Sequence, residues 1–187
     1  MRKISIYIFL LLTVSLFGCS KKSSKADSDT NTGNNTQVSN VETSSASSSD
    51  QNAPDFSLID TKGKKISLSD FKGKVVILDF WATWCPPCRR GIPDLISIKK
   101  QYKNKIAIVG ISLDTDSKSE VVPFAKKYGI NYHIVYGTNK VVHDYGNIEA
   151  IPTSFIINQK GEIVNRHVGL TPKEVYLSEI NKLLGNS

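Results

Sequence analysis

Residues 75–82, VVILDFWA, are a continuous apolar run broken only by Asp79. Such a run, without polar alternation, suits a β-strand covered on both faces, as in the middle of a parallel or mixed sheet. The rest of the chain must then supply two layers of cover, so the expected class is α/β with helices on either side of a central sheet. The run ends directly in TWCPPCRR, which sets Cys85 and Cys88 on either side of Pro86 and Pro87. A proline at 87 fits a first helical turn, where a missing N–H costs nothing, and Ile92, Leu95, Ile98 and Tyr102 follow at helical spacing. Pro93 falls inside that pattern and should kink the helix.

Around this pair the remaining elements read in order. Phe56, Leu58, Ile66 and Leu68 alternate with polar neighbours about Thr61-Lys62-Gly63-Lys64, predicting an added N-terminal β-hairpin. IAIVGISLD predicts a strand, SKSEVVPFAKKYG a helix ending near Gly129, YHIVYG a short strand and NKVVHDYG a short helix. TSFIINQKGEIVNRHVG reads as an antiparallel hairpin turning at Gln159-Lys160-Gly161. TPKEVYLSEINKLLG reads as a closing helix with Thr171 as N-cap and Gly185 as stop. No internal repeat is visible, and residues 54–187 are expected to form one domain with a mixed sheet.

The N-terminal third has a different character. Arg2 and Lys3, a nearly all-apolar stretch from Ile4 to Phe17, and Gly18 before Cys19 have the charged, apolar and small-residue order of a secretory signal at 1–18. LFGC resembles the lipobox of bacterial lipoproteins, which implies that Cys19 is lipidated and becomes the new N-terminus. Residues 19–53 are rich in Ser, Thr, Asn, Asp, Gln and Lys, with Val38 and Val41 as the sizeable apolar side chains, so the segment cannot bury enough surface to offset its chain entropy. It is expected to be a disordered tether with an end-to-end distance of roughly 30 to 35 Å. The folded part should therefore lie outside the cytoplasmic membrane, anchored to it by lipid. Residues 54–187 carry nineteen Lys and Arg against thirteen Asp and Glu, within a net charge of +7 for the whole chain. The lysines are scattered singly or in pairs, which suits a solvated basic surface rather than a nucleic-acid site.

With Cys19 committed to lipid, Cys85 and Cys88 can pair only with each other or with another molecule. As a staple, a bridge over so short a loop restricts the unfolded chain by roughly 2 kcal/mol, less than long-loop bridges give. Zinc would need two further ligands, and His133, His143 and His167 are ten or more residues apart on separate elements, so no metal is expected. A reactive pair remains. A thiol at a helix N-terminus faces unpaired N–H groups and the positive end of the dipole, both of which favour thiolate. Cys85 is thus the expected nucleophile, accessible at the surface, and Cys88, one turn further in, the shielded partner that resolves the mixed disulfide.

LDFWATWCPPC resembles the active-site strand and turn of the thioredoxin superfamily. Together with the lipobox, the tether, the APDFSLID opening, Pro93 and Ile151-Pro152-Thr153, it is similar to the membrane-anchored TlpA/ResA-like thiol-disulfide oxidoreductases. The resemblance implies a thioredoxin-like α/β/α fold, a redox-active Cys85–Cys88 disulfide in place of any cofactor, and a cis Pro152 packed against the active-site cysteine, with backbone groups of Ile151 free to pair with an extended substrate. It also places Asp79 where thioredoxin keeps a buried acid that handles the proton of the second cysteine. An ionised carboxylate inside an apolar strand is expensive, so a raised pKa is expected there independently. Trp84, Pro86 and Pro87 are expected to join Ile151 in contacting substrate. Arg89 and Arg90 stand in the first helical turn, where the dipole disfavours cations, and as solvated side chains need no role. One departure stands out: many ResA-like chains carry a glutamate three residues after the second cysteine, and this chain has Gly91. Since that acid goes with cytochrome c maturation, its loss weakens the case for apocytochrome c as substrate.

The leading expectation is a monomeric extracytoplasmic enzyme that reduces disulfides in secreted or membrane-associated proteins and is recharged by a membrane thiol donor of the CcdA/DsbD-like kind. A dithiol oxidase would use the same residues. A peroxidase of the related peroxiredoxin (AhpC/TSA) group shares the APDFSLID opening, but its threonine three residues before the reactive cysteine is Ala82 here and its upstream proline is Leu78. A redox-inert binding lipoprotein would have no need of the two cysteines.

Overall fold

A computed structural model of the chain describes residues 52–185. The expected signal segment, Cys19 and nearly all of the tether lie outside the described residues. Asn52 and Ala53, expected to belong to the tether, are already attached to the domain: Asn52 bridges Glu162, and the Ala53 N–H donates to the Gly161 carbonyl at 2.8 Å.

The apolar run forms β3 (Val75–Trp81), preceded by the hairpin β1 (Ser57–Ile59) and β2 (Lys65–Ser67). After it come α1 (Pro86–Tyr102), β4 (Ile106–Ser112), α2 (Val121–Tyr128), β5 (His133–Tyr136) and α3 (Asn139–Asp144). The chain closes with β6 (Thr153–Ile157), β7 (Ile163–Val168) and α4 (Lys173–Leu184). The main sheet has the order β5-β4-β3-β6-β7, with β3, β4 and β5 mutually parallel, β6 antiparallel to β3 and β7 antiparallel to β6. β3 is therefore central and every residue of it is buried, as its composition requires.

Alternation along β3 distributes its side chains between the two faces. Val76, Leu78 and Phe80 pack with the hairpin residues Phe56, Leu58, Ile66 and Leu68 and with Val141 and Tyr145 at α3. Val75 and Ile77 pack instead with Leu95, Ile98 and Tyr102 of α1 and Tyr176 and Ile180 of α4. The same period puts Asp79 and Trp81 on the helix-covered side, beneath α1. The hairpin is held at its tip by Asp60, whose carboxylate accepts the N–H groups of Lys62 and Lys64 at 2.8 Å each, while Gly63 supplies a φ of +80°.

One local expectation is adjusted. Pro93 lies inside α1, which spans Pro86 to Tyr102. Thr171 does not cap α4. The N-cap is Pro172, with no side-chain capping bond, and the Thr171 hydroxyl instead turns back to the Gly169 carbonyl at 3.5 Å. Thr171 is buried, so its side chain serves the core beneath the loop rather than the helix end. Gly185 does end the helix, in the left-handed conformation at φ +70°.

Candidate active site

Cys85 is the N-cap residue of α1, in extended conformation, with Pro86 and Pro87 occupying the first helical positions. Because those prolines carry no N–H, the first donor available to the cap is that of Cys88, which points at the Cys85 sulfur from 3.2 Å. Cys85 and Cys88 are joined as a disulfide, with an S–S distance of 2.07 Å. The expected contrast between an accessible Cys85 and a shielded Cys88 is absent from this oxidised form, in which the two are 3% and 4% exposed. The physical reason lies opposite the sulfur: the Ile151 carbonyl oxygen stands 3.7 Å from Cys85 Sγ, and Ile151 packs against the cluster that contains both cysteines. Without a proton on the disulfide sulfur this is a packing contact.

The Ile151–Pro152 peptide bond is cis, and Pro152 is buried. Its carbonyl accepts the Gly169 N–H at 2.8 Å, which ties the loop after β7 to the loop before β6. Around the disulfide, Trp84 is 62% exposed, Pro86 is exposed and Pro87 is half-buried. Arg89 does not reach back toward the cysteines: its Nε donates to the Tyr128 hydroxyl at 2.9 Å, and Tyr128 stacks on Phe124 at 4.2 Å between ring centres. Arg90 is exposed.

Beneath the cysteines lies Asp79, 6% exposed, and burial alone pushes its pKa up to about 7. Its register neighbours, Gly110 on β4 and Ser154 on β6, bring no charge to offset the cost of ionising it. Asp79 and Cys88 line one small cavity of about 20 Å³, closed by Gly91, Leu95, Pro152 and the loop from Gly169 to Thr171. Space for a water needs at least roughly 10 to 15 Å³, so the cavity is the size of one molecule.

Some contributors are only faintly marked in the residue pattern. Asp114, just beyond β4, is 4% exposed and accepts bonds from the Thr83 N–H and hydroxyl and from the hydroxyls of Ser112 and Ser117. It thus fixes the turn that presents Trp84 and Cys85. Its position after the carboxyl end of a buried strand, beside the equivalent end of β3, is the one clue the sequence offered. Leu170 and Tyr176 also face the Asp79 cavity. The three histidines stay apart from the cysteines: His167 pairs with Glu179 at 3.1 Å, His143 neighbours Asp144, and His133 packs at a tilt against Phe71. Among the described residues there is no group of three or more His, Cys, Asp or Glu able to hold a metal, and no helix long and apolar enough to cross a membrane.

The arrangement is that of a dithiol–disulfide centre, and comparison with known proteins agrees. The model of the AhpC/TSA family matches residues 49–166. The thioredoxin-like protein YneN of Bacillus subtilis (strain 168) is 43% identical over 128 residues, 67% of this chain and 75% of that protein. The thiol-disulfide oxidoreductase ResA of the same organism is 42% identical over 113 residues, 60% of this chain and 63% of that one. The crystal structure of a thiol:disulfide interchange protein, a thioredoxin family protein from Chlorobium tepidum TLS, superposes with a TM-score of 0.67 at 33% identity, covering 72% of this chain and 97% of that one. A central mixed sheet, an α1 that starts at a Cys-Pro-Pro-Cys disulfide and these matches lead to one assignment: the chain belongs to the AhpC/TSA family, as a thioredoxin-fold thiol-disulfide oxidoreductase of the TlpA/ResA-like kind.

Proposed function

We propose that the protein reduces disulfide bonds in proteins outside the cytoplasmic membrane, working as a lipid-anchored monomer. The observation that carries this reading is the placement of Cys85 at the N-cap of α1, with the Cys88 N–H aimed at its sulfur and Asp79 sharing a water-sized cavity with Cys88. In the reduced protein the N-terminal dipole and that N–H stabilise a Cys85 thiolate. The thiolate attacks one sulfur of a substrate disulfide, the substrate S–S bond breaks, and the departing substrate thiolate takes up a proton. The Cys88 thiol then gives its proton to ionised Asp79, directly or through one water, and the resulting thiolate attacks Cys85 Sγ. The Cys85–Cys88 bond forms as the mixed disulfide breaks, and the second substrate thiol is released. Two electrons have passed from the dithiol to the substrate. Ile151, Trp84, Pro86 and Pro87 frame the disulfide and offer an extended substrate segment a carbonyl and an aromatic surface. Ala82, wholly buried, has no hydroxyl to activate a peroxide next to Cys85, which argues against peroxidase chemistry.

The dithiol is regenerated by a membrane thiol donor of the CcdA/DsbD-like kind, and Cys19 holds the chain at the membrane. Loss of lipid label from the Cys19→Ser variant tests the anchor. For the chemistry, Cys88→Ser freezes the mixed disulfide on Cys85, so trapped partners should be exported proteins and should vanish when Cys85 is also replaced. Failure to reduce insulin disulfides in the presence of dithiothreitol, or slow alkylation of Cys85 near neutral pH, would contradict the reading. Equilibration with glutathione sets the direction: a potential well above that of thioredoxin, about −270 mV, would make the protein an oxidase instead.

A further inference from the structure

The cavity shared by Asp79 and Cys88 lies between two buried side chains, yet one of its walls is a side chain that also faces solvent. Leu170 lines the cavity and is 43% exposed. It follows Gly169, whose φ of +90° and bond to the Pro152 carbonyl turn the loop so that the leucine lies over α1. α1 admits it at one bare position. A Cβ added at Gly91 would stand 3.1 Å from Leu170 Cδ1, closer than ordinary packing, so glycine at 91 is what lets the leucine settle down onto the helix. Other walls of the cavity, Leu95, Pro152, Thr171 and Tyr176, are themselves buried. Leu170 is the thin one.

We propose that Leu170, seated on Gly91, is a positioning residue that plugs the cavity between Asp79 and Cys88 and keeps bulk water from that pair. The inference rests on the role given above to Asp79 and concerns what keeps that acid effective. The titratable groups that face Asp79 are Cys88 from α1, Tyr176 from α4 and Tyr132 from the segment before β5. Both tyrosines are held neutral over the working range by burial, so the hydration of the cavity is the variable that this leucine controls. Opening the plug restores water to the carboxylate, which favours its ionised form and lowers its titration midpoint.

The test uses the oxidised full chain, in which neither cysteine titrates, and follows the Asp79 carboxyl carbon by NMR across pH 4 to 9. The unaltered protein should titrate near pH 7, whereas Leu170→Ala and Leu170→Thr should titrate lower by about one pH unit or more. Leu170→Met, which refills the space, should restore the original midpoint. In the reduced protein the pH midpoint for resolving a mixed disulfide should move in parallel, while the alkylation rate of Cys85 stays the same. An unmoved Asp79 midpoint in both Leu170→Ala and Leu170→Thr overturns the proposal, as does a midpoint that Leu170→Met fails to restore. If Asp79→Asn leaves resolution and its pH profile intact, the role of Asp79 itself falls. If Asp79→Asn removes the profile but Leu170→Ala does not shift it, the plug alone is refuted.

Discussion

At the scale of single residues, Asp79 is a buried acid that costs the fold stability. Its carboxyl titrates near 3.9 in an unfolded chain and at about 7 in the folded one. Between those values the folded state holds a proton that the unfolded state has lost, so stability falls as pH rises from about 4 to about 7 and is level above that. The size of the effect is about 4 kcal/mol, an upper figure for one buried acid. Asp79→Asn should therefore raise stability at pH 8 by about 2 to 4 kcal/mol, with the gain shrinking toward zero at pH 4, as urea unfolding at the two pH values will measure. The same variant should slow resolution of the mixed disulfide. Replacing Asp114 should instead destabilise the fold, because four donors converge on its carboxylate. Asp114→Ala would strand the Thr83 N–H and the surrounding hydroxyls and should cost about 2 to 4 kcal/mol in denaturant unfolding, with weaker substrate binding at Trp84 read as a raised KM. The first acid was legible because a charge inside VVILDFWA is conspicuous. The second was not, since an aspartate after a strand looks like any loop residue.

At the scale of elements, the strands and helices follow from periodicity and capping, but the spaces between them do not. Trp81 ends β3 on the helix-covered side, stacked obliquely against Phe124 of α2 at 5.4 Å, and its indole Nε1 is the one fully buried side-chain polar atom without a partner among the described residues. The ring fits because β4 is bare where it passes: a Cβ at Gly110 would come within 2.8 Å of Nε1 and 3.3 Å of Cδ1. Gly110 thus looks like a weak point in a strand and is in fact the seat of the largest core side chain beside the active site. Gly110→Ala should cost about 1 to 3 kcal/mol, because an indole locked by Phe124 cannot swing clear, and chemical denaturation of the oxidised domain is the measurement. The end of α4 was readable from Gly185. Its start was not, because Thr171 has the chemistry of a cap but is drawn under the loop by the buried site it helps to close.

At the scale of the whole molecule, the N-terminal hairpin is part of the core. Phe56, Leu58, Ile66, Leu68 and Phe71 are all buried in the cluster on the second face of β3. At about 1.5 to 3 kcal/mol for each such side chain, their burial sums to a figure as large as the net stability of a typical domain, about 5 to 15 kcal/mol. A chain starting at Asn52 should unfold cooperatively and reduce insulin, whereas one starting at Val75 should show neither cooperative unfolding nor activity; calorimetry and a turbidity assay would check both. The sequence by itself determined what depends on neighbours along the chain: the covered strand, the helix that opens on the two prolines, the hairpins, and the placing of Cys85 where a helix dipole and a free N–H act on it. Tertiary structure decided what depends on residues far apart. Ile151 meets Cys85 across 66 positions, Thr83 meets Asp114 across 31, and Leu170 closes over Gly91. Local spacing limits which conformations a segment can adopt, but only the packing of layers on a twisted sheet chooses which side chains end up together, and with them how much water reaches Asp79 and Cys88.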